Sequence, residues 1–256
     1  MVACEAIVSA AVYLFAALVV GALAAAAFLV PEEDDAPPAN FLDGAAIFLA
    51  AFLIASLLAL IVQGAKLSGG ALPSIDILVR YATRTQSGGL WLWREAYAAL
   101  LLVLVLSFRN SAAGAMTRWL FVFALPLAAS RALASHAAAV REDRLLAVGI
   151  DALHLIVVSL WAGGLPVLGW IAWRASRERG AAPGCAAAVA RFSRLALASV
   201  GVIVLTGLYQ SWVQLQSWNA LFETAYGRVL LFKLALFAAM LGLGAVNRFT
   251  TKPALL

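Results

Sequence analysis

Seven stretches of the chain are predominantly apolar over the length of a long helix: residues 6 to 29, 42 to 63, 95 to 108, 118 to 138, 146 to 173, 192 to 213 and 227 to 246. An α-helix needs about 20 such residues to cross the hydrocarbon core of a bilayer. Barrel strands would alternate apolar and polar over about 10 residues, whereas Ala96 to Leu106 is apolar on every side. The pattern predicts an all-α, polytopic transmembrane bundle of about seven helices, organised as a single transmembrane domain over residues 1 to 256. The third stretch is short, so its helix is expected to begin near Gly89, with Trp91 and Trp93 in the interfacial aromatic belt.

Composition sharpens this picture. The 256 residues are 64% hydrophobic and 12% charged, with a mean hydropathy of +0.96. That leaves too few polar groups to cover a soluble globule, and soluble enzyme folds are excluded. A net charge of +5 would suggest nucleic acid in a soluble protein. Here the Lys and Arg residues flank apolar runs, so the lipid bilayer is the expected partner and nucleic acid is not. The first run lacks a basic n-region and is long enough to span, so it is expected to remain as a helix and not to be cleaved. Cys4 and Cys185 are isolated and form no CxxC, which argues against a disulfide or a thiolate metal site. Pro31 to Pro38 reads as a rigid acidic connector. Residues 64 to 88 carry Gly69, Gly70 and Pro73 and then the mixed-polarity stretch Ile75 to Tyr81, which predicts a short interfacial helix over the bundle mouth.

Basic residues orient the second half. Arg174, Arg177, Arg179 and Arg191 crowd residues 174 to 191, while 214 to 227 precede the next basic residue, Arg228. Loop 174 to 191, Arg248 and Lys252 are therefore placed in the cytoplasm, and parity over seven spans puts the N-terminus outside and the C-terminus inside. Lys66, Arg80 and Arg84 count against this arrangement. An internal echo supports the parity: Thr85 to Arg94 and Thr224 to Lys233 share the pattern T-x-x-G-x-apolar-apolar-L-aromatic-basic at one constant offset. The same offset lays the first span on the fifth. The reading is two parallel three-helix repeats, 1 to 110 and 146 to 250, joined by helix 118 to 138.

Candidate chemistry is sparse. The two histidines are His136, near the end of the fourth span, and His154, about two turns into the fifth. Measured from the Arg141 to Arg144 turn between them, they lie on the order of 6 and 12 Å deep. Ionisable groups inside a membrane are costly, and neutral imidazole ligates copper, zinc and haem iron. An interhelical hydrogen bond would satisfy the same two rings. Asp151, His154 and Trp161 follow one stripe of the fifth span. There Asp151 could orient the imidazole, or serve as a helix N-terminal carboxylate, while Trp161 would wall the site from water. Gly163, Gly164 and Pro166 allow close helix approach and a kink. Arg131 and Lys233 are further charges within spans, and either can snorkel. Tyr226, Arg228 and Lys233 could gate or anchor the outer end of the last helix. Met1, Met116 and Met240 make no methionine ladder, and the chain has no Gly-Lys-Ser/Thr phosphate loop, HExxH or GxSxG. It is not expected to be an enzyme.

Asp151-Ala-Leu-His154-Leu-Ile-Val-Val-Ser-Leu-Trp161-Ala-Gly163-Gly164-Leu165 resembles the copper resistance protein D family (CopD, also PcoD). Arg191 to Arg194, Leu205 to Leu208, Thr224 to Lys233 and Asn247-Arg248-Phe249 are similar to that family's C-terminal signature. Ser135-His136-Ala137 resembles its Gly-His-Ala, with serine in place of glycine. The resemblance implies a bacterial inner-membrane protein of copper resistance and uptake, with copper, Cu(I) or Cu(II), as the transported ion and a periplasmic CopC-type copper-binding protein as partner. In some relatives that domain precedes the first helix, in agreement with an external N-terminus. The family usually has eight helices, so a final span is expected to be missing here. Two other readings stand beside copper import: a haem b redox protein with bis-histidine ligation, and a membrane docking partner for the periplasmic copper protein.

Overall fold

The computed structural model describes residues 2–29, 39–110, 114–134, 144–177, 182–215 and 217–246. All regular structure among them is helical. The α-helices are α1 (Val2–Ala24), α2 (Ala39–Leu67), α3 (Ile75–Arg84), α4 (Gln86–Phe108), α5 (Gly114–Ala129), α6 (Arg144–Ala175), α7 (Ala182–Leu215), α8 (Ala220–Glu223) and α9 (Ala225–Val246). A π turn, Ala25–Leu29, ends α1, and a 3-10 turn, Ser130–Ala134, ends α5. The chain is a multi-pass membrane protein with two compact units, Met1–Val200 and Gly201–Leu256.

Among the described residues, six helices are long and apolar enough to cross a membrane: 3–29, 40–67, 86–108, 144–175, 183–215 and 225–242. They match six of the seven expected spans. The fourth, expected at 118 to 138, begins as the 16-residue α5. At 1.5 Å per residue, α5 is about 24 Å long, less than the roughly 30 Å hydrocarbon core, and the chain then tightens into the 3-10 turn. The sixth span starts ten residues before the expected 192. Its added turns contain Ala186-Ala-Ala-Val-Ala190, the strongest helix-forming composition available, so much of the expected 174 to 191 loop is helix.

Helix α1 is the centre of the first unit and packs on α2, α5 and α6. Val12, Val19, Val20 and Leu23 are fully enclosed, against Leu42, Leu49 and Phe52 of α2, Leu101 and Val105 of α4, and Leu120 and Leu127 of α5. Large apolar residues also cover the outside, including Ile7, Ile47, Ile54, Leu100 and Val103. Lipid tails are as apolar as the core, so burial of greasy surface cannot hold such helices together; close packing and internal polar contacts must. The α1–α6 contact shows the first: a Cβ placed on Gly21 would lie 2.7 Å from Gly164 N and inside the Gly163 carbonyl group, and one on Gly163 would strike the Ala17 backbone. Polar ties supply the second. Tyr97 Oη donates to the Phe123 carbonyl at 2.7 Å, joining α4 to α5, and Arg109 at the end of α4 reaches Asp43 near the start of α2 at 3.5 Å.

The short helix expected in this segment is α3. Gly69 and Gly70, with φ of 67° and 101°, let the chain leave α2 through left-handed conformations that favour glycine. Gly70 N then bonds Ala65 O at 2.8 Å. Ser74 caps the new helix by accepting from Ile77 N. Ile75 and Val79 project into the surroundings while Ala82 is buried, as suits a helix lying at an interface.

Thr85 turns α3 into α4. Its hydroxyl accepts from Gly88 N at 2.9 Å and donates to Tyr81 O at 2.8 Å. Gly88 passes so close to the preceding turn that a Cβ would lie 2.6 Å from Ala82 Cα. In the second unit, Thr224 between α8 and α9 does the same: it accepts from Gly227 N at 3.0 Å and donates to Ala220 O at 2.6 Å. Gly227 presses on the Leu221 backbone there. The shared T-x-x-G of the two segments thus builds the same corner twice. Long, long, short, long helix is also the order on both sides of α5, as α1 to α4 and α6 to α9.

Candidate functional site

Helix α6 is continuous from Arg144 to Ala175, so the spacing of Asp151, His154 and Trp161 is a true helical stripe. At about 100° per residue the three lie within about 80° of arc. All three are half-buried. Asp151 stands one turn before the imidazole and Trp161 two turns after it. Gly163 and Gly164 follow, where α6 locks against α1 and against the Phe192 ring. Gly163 lies about 180° around α6 from His154, so α1 holds the helix from the face opposite the stripe. His136 lies outside the described residues, as do Ser135, Ala137 and the turn residues Arg141, Glu142 and Asp143. Among the described residues, no three His, Cys, Asp or Glu side chains converge on one point.

Tyr226 and Lys233 belong to α9 in the second unit and are exposed. Arg131 occupies the 3-10 turn after α5, half-buried, with its guanidinium 4.7 Å from the centre of the Tyr13 ring. It shares a cavity of about 230 Å³ with Glu5, Ser9 and Tyr13 of α1, Gln63 of α2, Tyr81 of α3, Ser87, Trp91 and Arg94 of α4, and Ser130. Glu5, Ser9 and Tyr13 recur every four residues and so line one face of α1, before that helix turns wholly apolar at Ala16. Ser87, Trp91 and Arg94 do the same on α4.

Arg94 is the cavity's most deeply enclosed charge, 7% exposed. Its Nη2 donates to Ser56 Oγ at 2.8 Å, and its guanidinium lies 5.8 Å from the centre of the Phe52 ring. Ser56 also accepts from Trp91 Nε1, at 3.1 Å to both its hydroxyl and its carbonyl oxygen. Ser56 and Phe52, four residues apart on α2, thus form the seat for Trp91 and Arg94, three apart on α4. Glu95 Oε1 is 3.9 Å from Arg94 Nε, and neither atom has a hydrogen-bond partner among the described residues. At the rim, Glu5 forms an ion pair with Lys66.

The sequence pattern pointed to Arg131 but not to this setting. It missed Arg94, Ser56 and Glu95, because with Trp91 and Trp93 read as the interfacial belt Arg94 passes as one more charge at the membrane end of the helix. The usable signal was the echo, whose final basic position is Arg94 in one copy and Lys233 in the other.

Comparison with known proteins agrees over most of the chain. A family model described as copper resistance protein D-like, N-terminal domain, matches residues 2–143, and one described as copper resistance protein D matches residues 186–256. The copper transport protein CutJ of Bacillus subtilis is 35% identical over 176 residues, which cover 66% of this chain and 31% of that protein. The chain thus spans about a third of the length of this relative. No solved structure matches the chain.

Proposed function

Because the chain belongs to the copper resistance protein D family, we propose that it carries copper ions inward across the bacterial inner membrane, with His136 and His154 as the imidazoles that receive the ion near the outer face. The observation that carries this reading is the placement of His154: a half-buried imidazole on a long apolar helix, one turn from Asp151. An ionisable residue within a membrane helix marks a functional position by default, and a carboxylate one turn away can accept its second N–H and raise its basicity as a ligand. Trp161 limits access of water to the stripe. The name of the Bacillus subtilis relative, a copper transport protein, supports copper as the ion. Two imidazoles alone would also accept zinc.

In this reading the N-terminus faces outward and the C-terminus inward. The outer end then contains the start of α1, the end of α2 and the segment that carries His136, where a periplasmic copper-binding protein of the CopC type would deliver its ion. The twin threonine corners support descent of the two halves from one repeated unit. Arg131 lines a cavity at the outer end, while Tyr226 and Lys233 sit on the outer part of α9. The test is copper accumulation in cells that lack their own copy and express either the wild type or the His136→Ala/His154→Ala double variant at matched levels. Accumulation above background is expected for the wild type alone. Equal accumulation by both would remove the histidines from the mechanism.

A further inference from the structure

Arginine at the membrane end of a helix is ordinarily a snorkelling residue, but Arg94 is turned inward and enclosed. We propose that the cavity between α1, α2, α4 and the 3-10 turn is a binding site for a phosphate group, held between the guanidiniums of Arg94 and Arg131. This inference is independent of the copper reading.

Charge comes first. Two guanidinium side chains, those of Arg94 and Arg131, line the cavity. The carboxylate on the lining is Glu5, which is already paired with Lys66. Glu95 is the other acid nearby; it forms a long ion pair with Arg94, 3.9 Å from Nε, but it does not line the cavity. At that distance the Nε–H has no hydrogen-bond acceptor among the described residues. A cavity with this lining repels a metal cation and attracts an anion.

Geometry then narrows the class. Guanidinium forks match the paired oxygens of phosphate, and Ser9, Tyr13, Tyr81 and Ser87 add hydroxyl groups around the same space. A volume of 230 Å³ corresponds to roughly seven water molecules. That holds a phosphate with a few waters but not a nucleotide. The position at the end of the bundle, beside the interfacial α3, admits either a free phosphate from solution or the phosphodiester of a bilayer lipid.

The experiment uses the full chain purified in detergent and follows thermal unfolding in two parallel titrations. One adds inorganic phosphate against sodium chloride of equal ionic strength; the other adds short-chain phosphatidylglycerol against a neutral glycolipid. Arg131→Gln is the principal variant, because Arg131 is half-buried and outside the Ser56 seat. Arg94→Lys keeps the charge but removes the fork. The wild type should show a saturable rise in Tm in at least one titration, with half-saturation moved at least tenfold higher in both variants. Saturation by phosphate identifies a free anion, and saturation by the lipid alone identifies a headgroup. A wild-type response no greater than the matched control in both titrations, or one unchanged in the two variants, would overturn the proposal.

Discussion

Gly21 of α1 and Gly163 of α6 meet backbone to backbone, with no room for a Cβ on either. This pair brings the helix that carries His154 against the central helix of the first unit, and it does so with the small residues on which membrane helices rely. Replacing Gly163 with alanine sets two effects against each other. Helix propensity favours alanine by about 1 kcal/mol, but the new methyl group meets Ala17 main chain, which cannot rotate away. Overpacking costs about 1 to 3 kcal/mol where side chains can adjust, and backbone gives less. Gly163→Ala should therefore lower stability by about 2 kcal/mol, read as reduced unfolding temperature in detergent. Gly169→Ala, on the same helix with nothing within 4 Å of its Cβ position, should be neutral or slightly stabilising.

The threonine corners give a paired prediction. Each of Thr85 and Thr224 satisfies an orphan N–H at the start of a helix and a carbonyl at the end of the previous one. Loss of an N-cap side chain costs about 1 kcal/mol. Thr85→Ala and Thr224→Ala should speed amide exchange at Gly88 and Gly227 respectively, each at its own corner. Unchanged exchange in either variant would show that its corner is held by other contacts.

Asp151 tests the support of the imidazole rather than the imidazole itself. Partners that orient metal-ligating histidines contribute roughly 10- to 100-fold in affinity. Asp151→Asn should weaken copper binding by about that factor and leave the unfolding temperature nearly unchanged. Undiminished affinity would remove Asp151 from the support of the imidazole.

On α3, the Arg80 hydrogen bond and charge hold the Asp76 carboxyl below its ordinary value, opposed by a smaller effect of burial. A carboxyl whose pKa is lowered by folding contributes stability above its unfolded pKa, about 3.9, and loses it as pH falls through the lowered folded value. The pair is exposed, so its contribution is small. Proteolysis near α3 should increase on acidification below pH about 4 in the wild type, and Asp76→Asn should already show that increase at neutral pH.

Much of this fold is legible in the sequence because a bilayer demands long apolar helices. That requirement marks the six long helices. The T-x-x-G echo marks both corners, since only glycine fits where Gly88 and Gly227 pass the preceding turn. Other features depend on contacts between distant segments. Arg94 reads as a charge at the membrane end of its helix until Ser56, thirty-eight positions away, is seen beneath it. The cavity likewise joins Glu5, Gln63, Arg94 and Arg131, which no local pattern connects. The early start of α7 followed from alanine propensity outside the strictly apolar window. For the candidate metal site, spacing alone placed Asp151, His154 and Trp161 on one stripe, and the continuous α6 preserves it.

The most direct test of the copper account is an absorption spectrum with metal analysis of the detergent-purified protein, wild type beside the His136→Ala/His154→Ala double variant. The account predicts stoichiometric copper in the wild type, its loss in the variant, and no Soret band in either. Copper retained by the double variant, or a Soret band present in the wild type and lost in the variant, would contradict it, the latter in favour of bis-histidine haem ligation.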